Sequence, residues 1–278
     1  MKQKYDEVSF DCSKITTKAY STSFSLGIRF LEKKFHRSIY AIYGFVRFAD
    51  EIVDSFHSYD KAVLLAEFKE ETWKAIKNGI SINPILNSFQ HTVKRYGIED
   101  ELIERFFRSM EADLNQTEHS KDSYEEYIYG SAEVVGLMCL RVFTENDNEL
   151  FQRLKQPAKR LGAAFQKVNF LRDMNADYIE LGRTYFPGIN FKSFSEHEKE
   201  KIQKDIESDF EQALTGIKQL PLSSRRGVYL AYFYYKKLFL MIKNTTAEKT
   251  LCARIRIPNH KKFGLMFQSI IRHQLNML

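Results

Sequence analysis

The sequence predicts an all-α protein folded as a single domain. Only 5 Pro and 12 Gly punctuate its 278 residues, and helical periodicity dominates between them. No run alternates apolar and polar residues as a half-buried strand would. No internal repeat or low-complexity linker divides the chain, so one helical domain is expected over residues 1–278.

Apolar periodicity places helices at about 10–25, 36–56, 60–77, 84–96, 100–114, 122–141, 148–180, 195–219, 222–244 and 260–276. Polar or Gly/Pro-bearing stretches separate them, among them "NGISINP", "NQTEHSKD", "LGRTYFPGINF" and "RIPNHKK". Pro157 lacks an N–H and clashes with the preceding turn, so the helix at 148–180 is expected to break near it. Gly130 and Gly136 lie inside the helix at 122–141, where each costs about 1 kcal/mol relative to Ala. They mark either close helix–helix packing or a kink that admits a ligand.

Apolar residues make up 44% of the chain, enough for a substantial core. The 23 Phe and 15 Tyr suit an ordinary large helical core, or aromatic walls around a long apolar or cationic ligand. The net charge of +6 is scattered, with no long basic block and no nucleic-acid-binding signature, so no nucleic-acid partner is expected. Cys12, Cys139 and Cys252 are widely separated and odd in number, which suits a reducing compartment and neither a disulfide framework nor a zinc site. The N-terminal "MKQKYDEVSFD" lacks a signal-peptide core. The run "YLAYFYYKKLFLMI" is interrupted by Lys236 and Lys237 and too short to span a bilayer. A cytoplasmic protein, soluble or peripheral at the membrane, is expected.

Two acidic segments carry the chemistry. In "FVRFADEIVDSF", positions four apart lie roughly 40° apart on a helix, so Asp50, Asp54, Tyr43 and Arg47 share one face. Phe45, Ala49, Ile52 and Val53 fall on the opposite arc. Alone, this face reads as solvated surface. In "QKVNFLRDMNADY", Gln166, Asn169, Asp173 and Asp177 form a polar stripe with Phe165 and Ala176 on one shoulder and Phe170 and Met174 on the other. Apolar shoulders on both sides suit a helix facing a cavity better than one facing water.

Ionised carboxylates in such a setting are costly unless they are paired or bind a cation. Oxygen donors select a hard ion such as Mg²⁺, which commonly bridges to substrate phosphates. Two Asp pairs facing each other could hold Mg²⁺ around one diphosphate, with Arg47 and Arg172 taking the remaining oxygens. A di-iron carboxylate bundle would instead need Glu-x-x-His motifs, and none occurs. P-loop, dinucleotide and nucleophile-elbow signatures are also missing.

These residues resemble the trans-isoprenyl, head-to-head prenyl synthases, the phytoene, dehydrosqualene and squalene synthases. "RFADEIVD" resembles the first Asp-rich motif of that family, and "QKVNFLRDMNADYIELGRTYFP" its longer and more specific second motif. "YSTSFSLGIRFL" and "YIYGSAEVVG" resemble the substrate-diphosphate segment and the Tyr- and Gly-bearing central helix. The resemblance runs from about residue 15 to residue 270. It implies an isoprenoid-synthase helical fold with a central cavity. It also implies a Mg²⁺ cluster, which Mn²⁺ could replace, handled by Asp50, Asp54, Asn169, Asp173 and Asp177.

By motif position, Tyr20, Ser21, Ser23, Tyr43, Arg47, Gln166, Arg172 and Tyr234 would meet the diphosphate or allylic region, and Tyr129 would position the reacting carbons. Two departures stand out: Tyr20 replaces a His carried by some members, and Glu133 occupies a position where many have Gly. Glu133 would either narrow the cavity or sit on the helix's outer side.

The resemblance implies joining of two identical allylic diphosphates through a cyclopropylcarbinyl diphosphate. Proton loss would give phytoene from geranylgeranyl diphosphate, or dehydrosqualene from farnesyl diphosphate. Squalene would need NADPH, which is not expected because no nucleotide fingerprint is visible. Phytoene synthesis is the preferred expectation, on the family's prior. A non-catalytic helical relative acting as a binding factor would be marked by loss of the aspartates, and all four are present. Apolar substrate tails and a basic surface imply peripheral contact with anionic membranes.

Overall fold

A computed structural model describes residues 1–115, 119–189 and 193–252. In chain order the helices are α1 (Lys2–Tyr20), α2 (Thr22–Arg29), α3 (Lys33–Ser55), α4 (Lys61–Asn78), α5 (Pro84–Tyr96) and α6 (Asp100–Asn115). They continue with α7 (Lys121–Ile128), a π-helical turn (Tyr129–Glu133), α8 (Val134–Thr144), α9 (Asn148–Leu181), α10 (Glu196–Ile217), α11 (Leu222–Lys243) and α12 (Ala247–Cys252). No strand occurs among the described residues, and the predicted all-α class holds.

Local chemistry explains most helix limits. Asp60, Asn83, Ser120, Asp147 and Ser195 each cap a helix N-terminus by accepting backbone N–H bonds. Gly79, Gly97 and Gly182 end α4, α5 and α9 in the left-handed region.

Two expectations need correction. The helix expected at 10–25 starts at Lys2 and divides at Ser21, whose extended backbone ends α1 while its side chain accepts from Phe24 N and starts α2. The break near Pro157 does not occur, and α9 runs continuously through it. Gly216 of α10 makes room there, since a Cβ on it would lie 2.2 Å from Pro157 Cβ. Packing along α8 and α10 thus holds the turn that proline weakens. Gly130 and Gly136 serve close packing, because added Cβ atoms would meet Arg105 O at 2.6 Å and Ala158 O at 3.0 Å. The helix expected at 260–276 lies outside the described residues.

The core has two parts. One centres on Phe45 of α3, stacked on Phe89 of α5 with centroids 3.9 Å apart and flanked by Phe106 and Phe107 of α6. The other gathers Tyr127, Phe170, Tyr185 and Phe186 with Phe210, Tyr232 and Phe239 from α10 and α11. On the far flank of α9, buried Lys167 bonds Asp209 at 2.7 Å and Asp205 at 2.5 Å, tying α9 to α10.

Candidate active site

The site grows from the far half of α3. Phe45, Ala49 and Val53 are buried against the core, which turns Tyr43, Arg47, Asp50 and Asp54 the other way. Asp50 is half-buried in a crowded recess. Burial first, and then the adjacent Asp54 charge, push its carboxyl up to about 7. Burial likewise pushes the Tyr43 phenol up to about 12. Arg47 pairs with Glu51, lies 4.3 Å above the Tyr20 ring, and buries an Nε with no hydrogen-bond partner among the described residues. Tyr20 is half exposed and also bonds Glu51, so this departure closes over Arg47. Ser21 bonds Tyr43, and Ser23 is half-buried in the first turn of α2.

Helix α9 supplies the facing wall. Gln166 Nε2 donates to Ser131 Oγ at 3.4 Å, and Asn169 Oδ1 accepts from Tyr235 at 3.4 Å. Arg172 grips Asp173 through Nε at 3.0 Å and Nη2 at 2.5 Å. Asp177 borders a small cavity shared with Phe170, Met174, Arg183, Tyr185 and Ile189. Its carbonyl also accepts from Gly182 N and Arg183 N, the latter at 2.9 Å. Gly182 sits at φ +65°, which lets the chain fold back and drive Arg183 inward. The Gly-Arg pair of the second motif therefore has a geometric reason.

Two further side chains belong to the site. Tyr235 bonds Asn169, stacks on Phe165 at 4.0 Å, and feels the charges of Arg172 and Asp173, while Tyr43 of α3 feels Tyr235. On the other side, Arg183 Nη1 lies 3.0 Å from Asp54 Oδ1 and 3.8 Å from Asp113 Oδ1, with Tyr185 Oη at 3.4 Å. Asp113 is buried in α6 and accepts from Tyr127 Oη at 2.7 Å. Burial pushes its carboxyl up to about 7, and its Oδ1 has no hydrogen-bond partner among the described residues.

The structure thus gathers Ser21, Tyr43, Arg47, Asp50 and Asp54 on one wall, and Gln166, Asn169, Arg172, Asp173 and Asp177 on the other. Tyr129 is not among them. Its ring lies under Lys159 at 4.7 Å, and its charged neighbours are Glu101, Arg105, Glu133 and Glu99. Tyr127, two residues earlier and so roughly 200° around the helix, takes the inward place. Tyr235 bonds Asn169, and Tyr234 lies edge-on to Tyr235, close enough to Arg172 to act on its charge. Glu133 is buried and paired with Lys159 at 3.0 Å, on the outer side with Tyr129.

Sequence reasoning also passed over Asp113. Its signal was a carboxylate three and seven residues after Met110 and Phe106, on the buried stripe of an amphipathic helix.

The donor set fits hard divalent cations. Asp50 and Asp54 crowd like charges together, and Asp113 buries an oxygen without a hydrogen-bond partner. No ready-made cluster of three or more metal-ligating side chains occurs among the described residues. Substrate oxygens and water would have to complete each coordination shell.

The squalene/phytoene synthase family model matches residues 17–261. The chain is 24% identical over 248 residues to a 15-cis-phytoene synthase of Pantoea ananas, covering 80% of this chain and 79% of that protein. It is 28% identical over 200 residues to a 4,4'-diapophytoene synthase of Staphylococcus haemolyticus, covering 69% and 67%. A solved dehydrosqualene synthase in complex with ligand superposes with a TM-score of 0.83 at 22% identity, covering 99% of each chain. The chain belongs to the squalene/phytoene synthase family of prenyltransferases.

Proposed function

We propose that this protein joins two molecules of geranylgeranyl diphosphate head to head to give phytoene, through a cyclopropylcarbinyl diphosphate. The observation that carries this reading is the Arg183–Asp54 ion pair, which brings the end of the α9 motif onto the acidic face of α3. Phytoene synthases among the relatives support it.

Asp50, Asp54, Asn169, Asp173 and Asp177 would hold Mg²⁺, and Mn²⁺ in its place. When bound, the metal supplies charge neutralisation for the departing diphosphate. Arg47 and Arg172 offer planar N–H forks to diphosphate oxygens once they release Glu51 and Asp173. Tyr43 and Phe165 present aromatic faces that shield an allylic cation from water. Tyr127 fixes the Asp113 carboxylate at the inner end of the recess. No reaction step here calls on NADPH.

A second reading favours farnesyl diphosphate and a C30 product, because the diapophytoene synthase relative is 28% identical. Purified protein given Mg²⁺ and each diphosphate separately, with products identified by mass spectrometry, tests both. Phytoene from the C20 substrate supports the first reading. A C30 hydrocarbon from the C15 substrate alone supports the second, and no coupling of either overturns both.

We also propose peripheral membrane contact. No helix among the described residues is long and apolar enough to cross a membrane. The net charge of +6 favours anionic lipid. Vesicle binding that weakens with salt is expected, and equal binding to neutral and anionic vesicles at low salt would contradict it.

A further inference from the structure

Arg183 is a charged residue of this site to which the proposed reaction assigns no task. Its side chain is nearly buried, while that of Asp54 is 43% exposed. Three contacts anchor it without Asp54: Nη2 donates to Asp113 O at 2.9 Å, and Nη1 lies 3.8 Å from Asp113 Oδ1 and 3.4 Å from Tyr185 Oη. The left-handed turn at Gly182 and the Arg183 N–H bond to Asp177 O fix its backbone. Asp54, at the end of α3 and partly open to solvent, is the less anchored partner of the pair. The guanidinium therefore stays in place if the carboxylate turns away.

We propose that Arg183 is the resident counter-ion of the unloaded site, holding Asp54 against metal until a diphosphate arrives. The inference rests on the metal-binding reading of the two acidic walls. A divalent ion that takes Asp54 must displace this ion pair and sit close to a fixed positive charge, and both effects weaken binding of metal alone. A diphosphate adds several negative charges, so metal and diphosphate together outcompete the guanidinium. Metal occupancy is thereby coupled to substrate, with Arg183 as a positioning residue rather than a catalytic one. The coupling is reciprocal, so bound metal raises diphosphate affinity by the same factor by which diphosphate raises that of metal.

The test is calorimetric titration of the intact protein with Mn²⁺, alone and with saturating inorganic pyrophosphate. Wild type should bind Mn²⁺ weakly alone and at least tenfold more tightly with pyrophosphate. Arg183→Gln should bind Mn²⁺ alone about fivefold more tightly than wild type and lose much of the pyrophosphate effect. Lys61→Met is the charge control, because Lys61 Nζ donates to Val53 O at 2.7 Å at the same end of α3 without serving the site. It should change Mn²⁺ affinity by less than about twofold.

If Arg183→Gln loses cooperative melting, Arg183→Lys carries the test. A lysine keeps the charge but not the fork that spans Asp113 and Asp54, so a gain of about threefold is expected. A folded variant that binds Mn²⁺ alone no more tightly than wild type overturns the proposal. A gain equalled by Lys61→Met also overturns it, since the effect is then general electrostatics. Wild type that binds no Mn²⁺ even with pyrophosphate removes the metal reading itself, and this inference with it.

Discussion

Tyr127 donates its phenolic hydrogen to Oδ2 of Asp113 at 2.7 Å, and the other oxygen of that carboxylate has no hydrogen-bond partner among the described residues. Asp113 is thereby held by one rigid donor, with its free edge near Arg183. Tyr127→Phe removes the donor and keeps the ring, which stacks on Tyr185 at 5.4 Å. The loss of one buried hydrogen bond should cost about 1 kcal/mol of stability. Turnover should fall tenfold or more, because a loosened carboxylate at the inner end of the recess disturbs substrate position. Tyr129→Phe, measured beside it by steady-state kinetics and thermal melting, should change turnover less than about threefold. The reverse order would return the reacting-centre role to Tyr129.

Stability of the metal-free protein should depend on pH with a sign set by Asp50 and Asp113. Both carboxyls are raised from 3.8 to about 7, first of all by burial. A raised acid ionises less readily in the folded chain than in the unfolded one. Its stabilising contribution is therefore greatest below the unfolded value, declines as pH rises from about 4 to 7, and is gone above 7. His119 works oppositely, since burial lowers its pKa and protonation of the unfolded chain costs stability below about 6.5. Melts of wild type and Asp50→Asn across pH 5 to 8 separate the two. The difference between them should shift in favour of Asp50→Asn as pH rises, and added Mg²⁺ should stabilise wild type above pH 7. Parallel curves would contradict the assignment of Asp50.

Lys167 lies on the other flank of α9 and tests what merely holds the helix in place. Its ammonium bonds Asp209, whose side chain is 3% exposed, and Arg160 reaches the same carboxylate at 3.3 Å. Lys167→Met should cost about 3 kcal/mol by leaving a buried charge undercompensated. Lys167→Met with Asp209→Leu should recover most of that loss in denaturant titration. An additive loss in the double variant would show that the two residues act separately.

How much of this was legible in the sequence follows from how local each cause is. The polar stripe of α9 with its apolar shoulders marked Gln166, Asn169, Asp173 and Asp177 without any tertiary information. The α3 face was equally visible, but only the second helix showed that it borders a recess instead of open solvent. Pro157 misled because the compensation comes from Gly216, roughly sixty residues away in sequence and visible only once α9 and α10 pack. Tyr127 and Tyr235, which bond Asp113 and Asn169, carry no mark that sets them apart from neighbouring Tyr129 and Tyr234. Clustered aromatics give no local signal of which one faces the site, and a π-helical turn shifts the phase beyond Tyr129. Asp113 was hidden because its partner Arg183 arrives from a distant turn.

If the α3 and α9 carboxylates serve one diphosphate site, turnover needs the charge on both helices. The most direct measurement compares diphosphate release by Asp50→Asn, Asp173→Asn and the control Asp122→Asn, which is exposed in the first turn of α7. Asn keeps the shape and removes the charge, so each of the first two should lose on the order of 10²-fold or more in turnover. Without metal Asp50→Asn should melt at or above the wild-type temperature, while Asp173→Asn gives up its Arg172 partner and should melt somewhat below it. Asp122→Asn should stay within about twofold of wild type. If Asp173→Asn turns over at full rate in an intact fold, or unfolds the protein while Asp50→Asn does not, the two helices do not form one site.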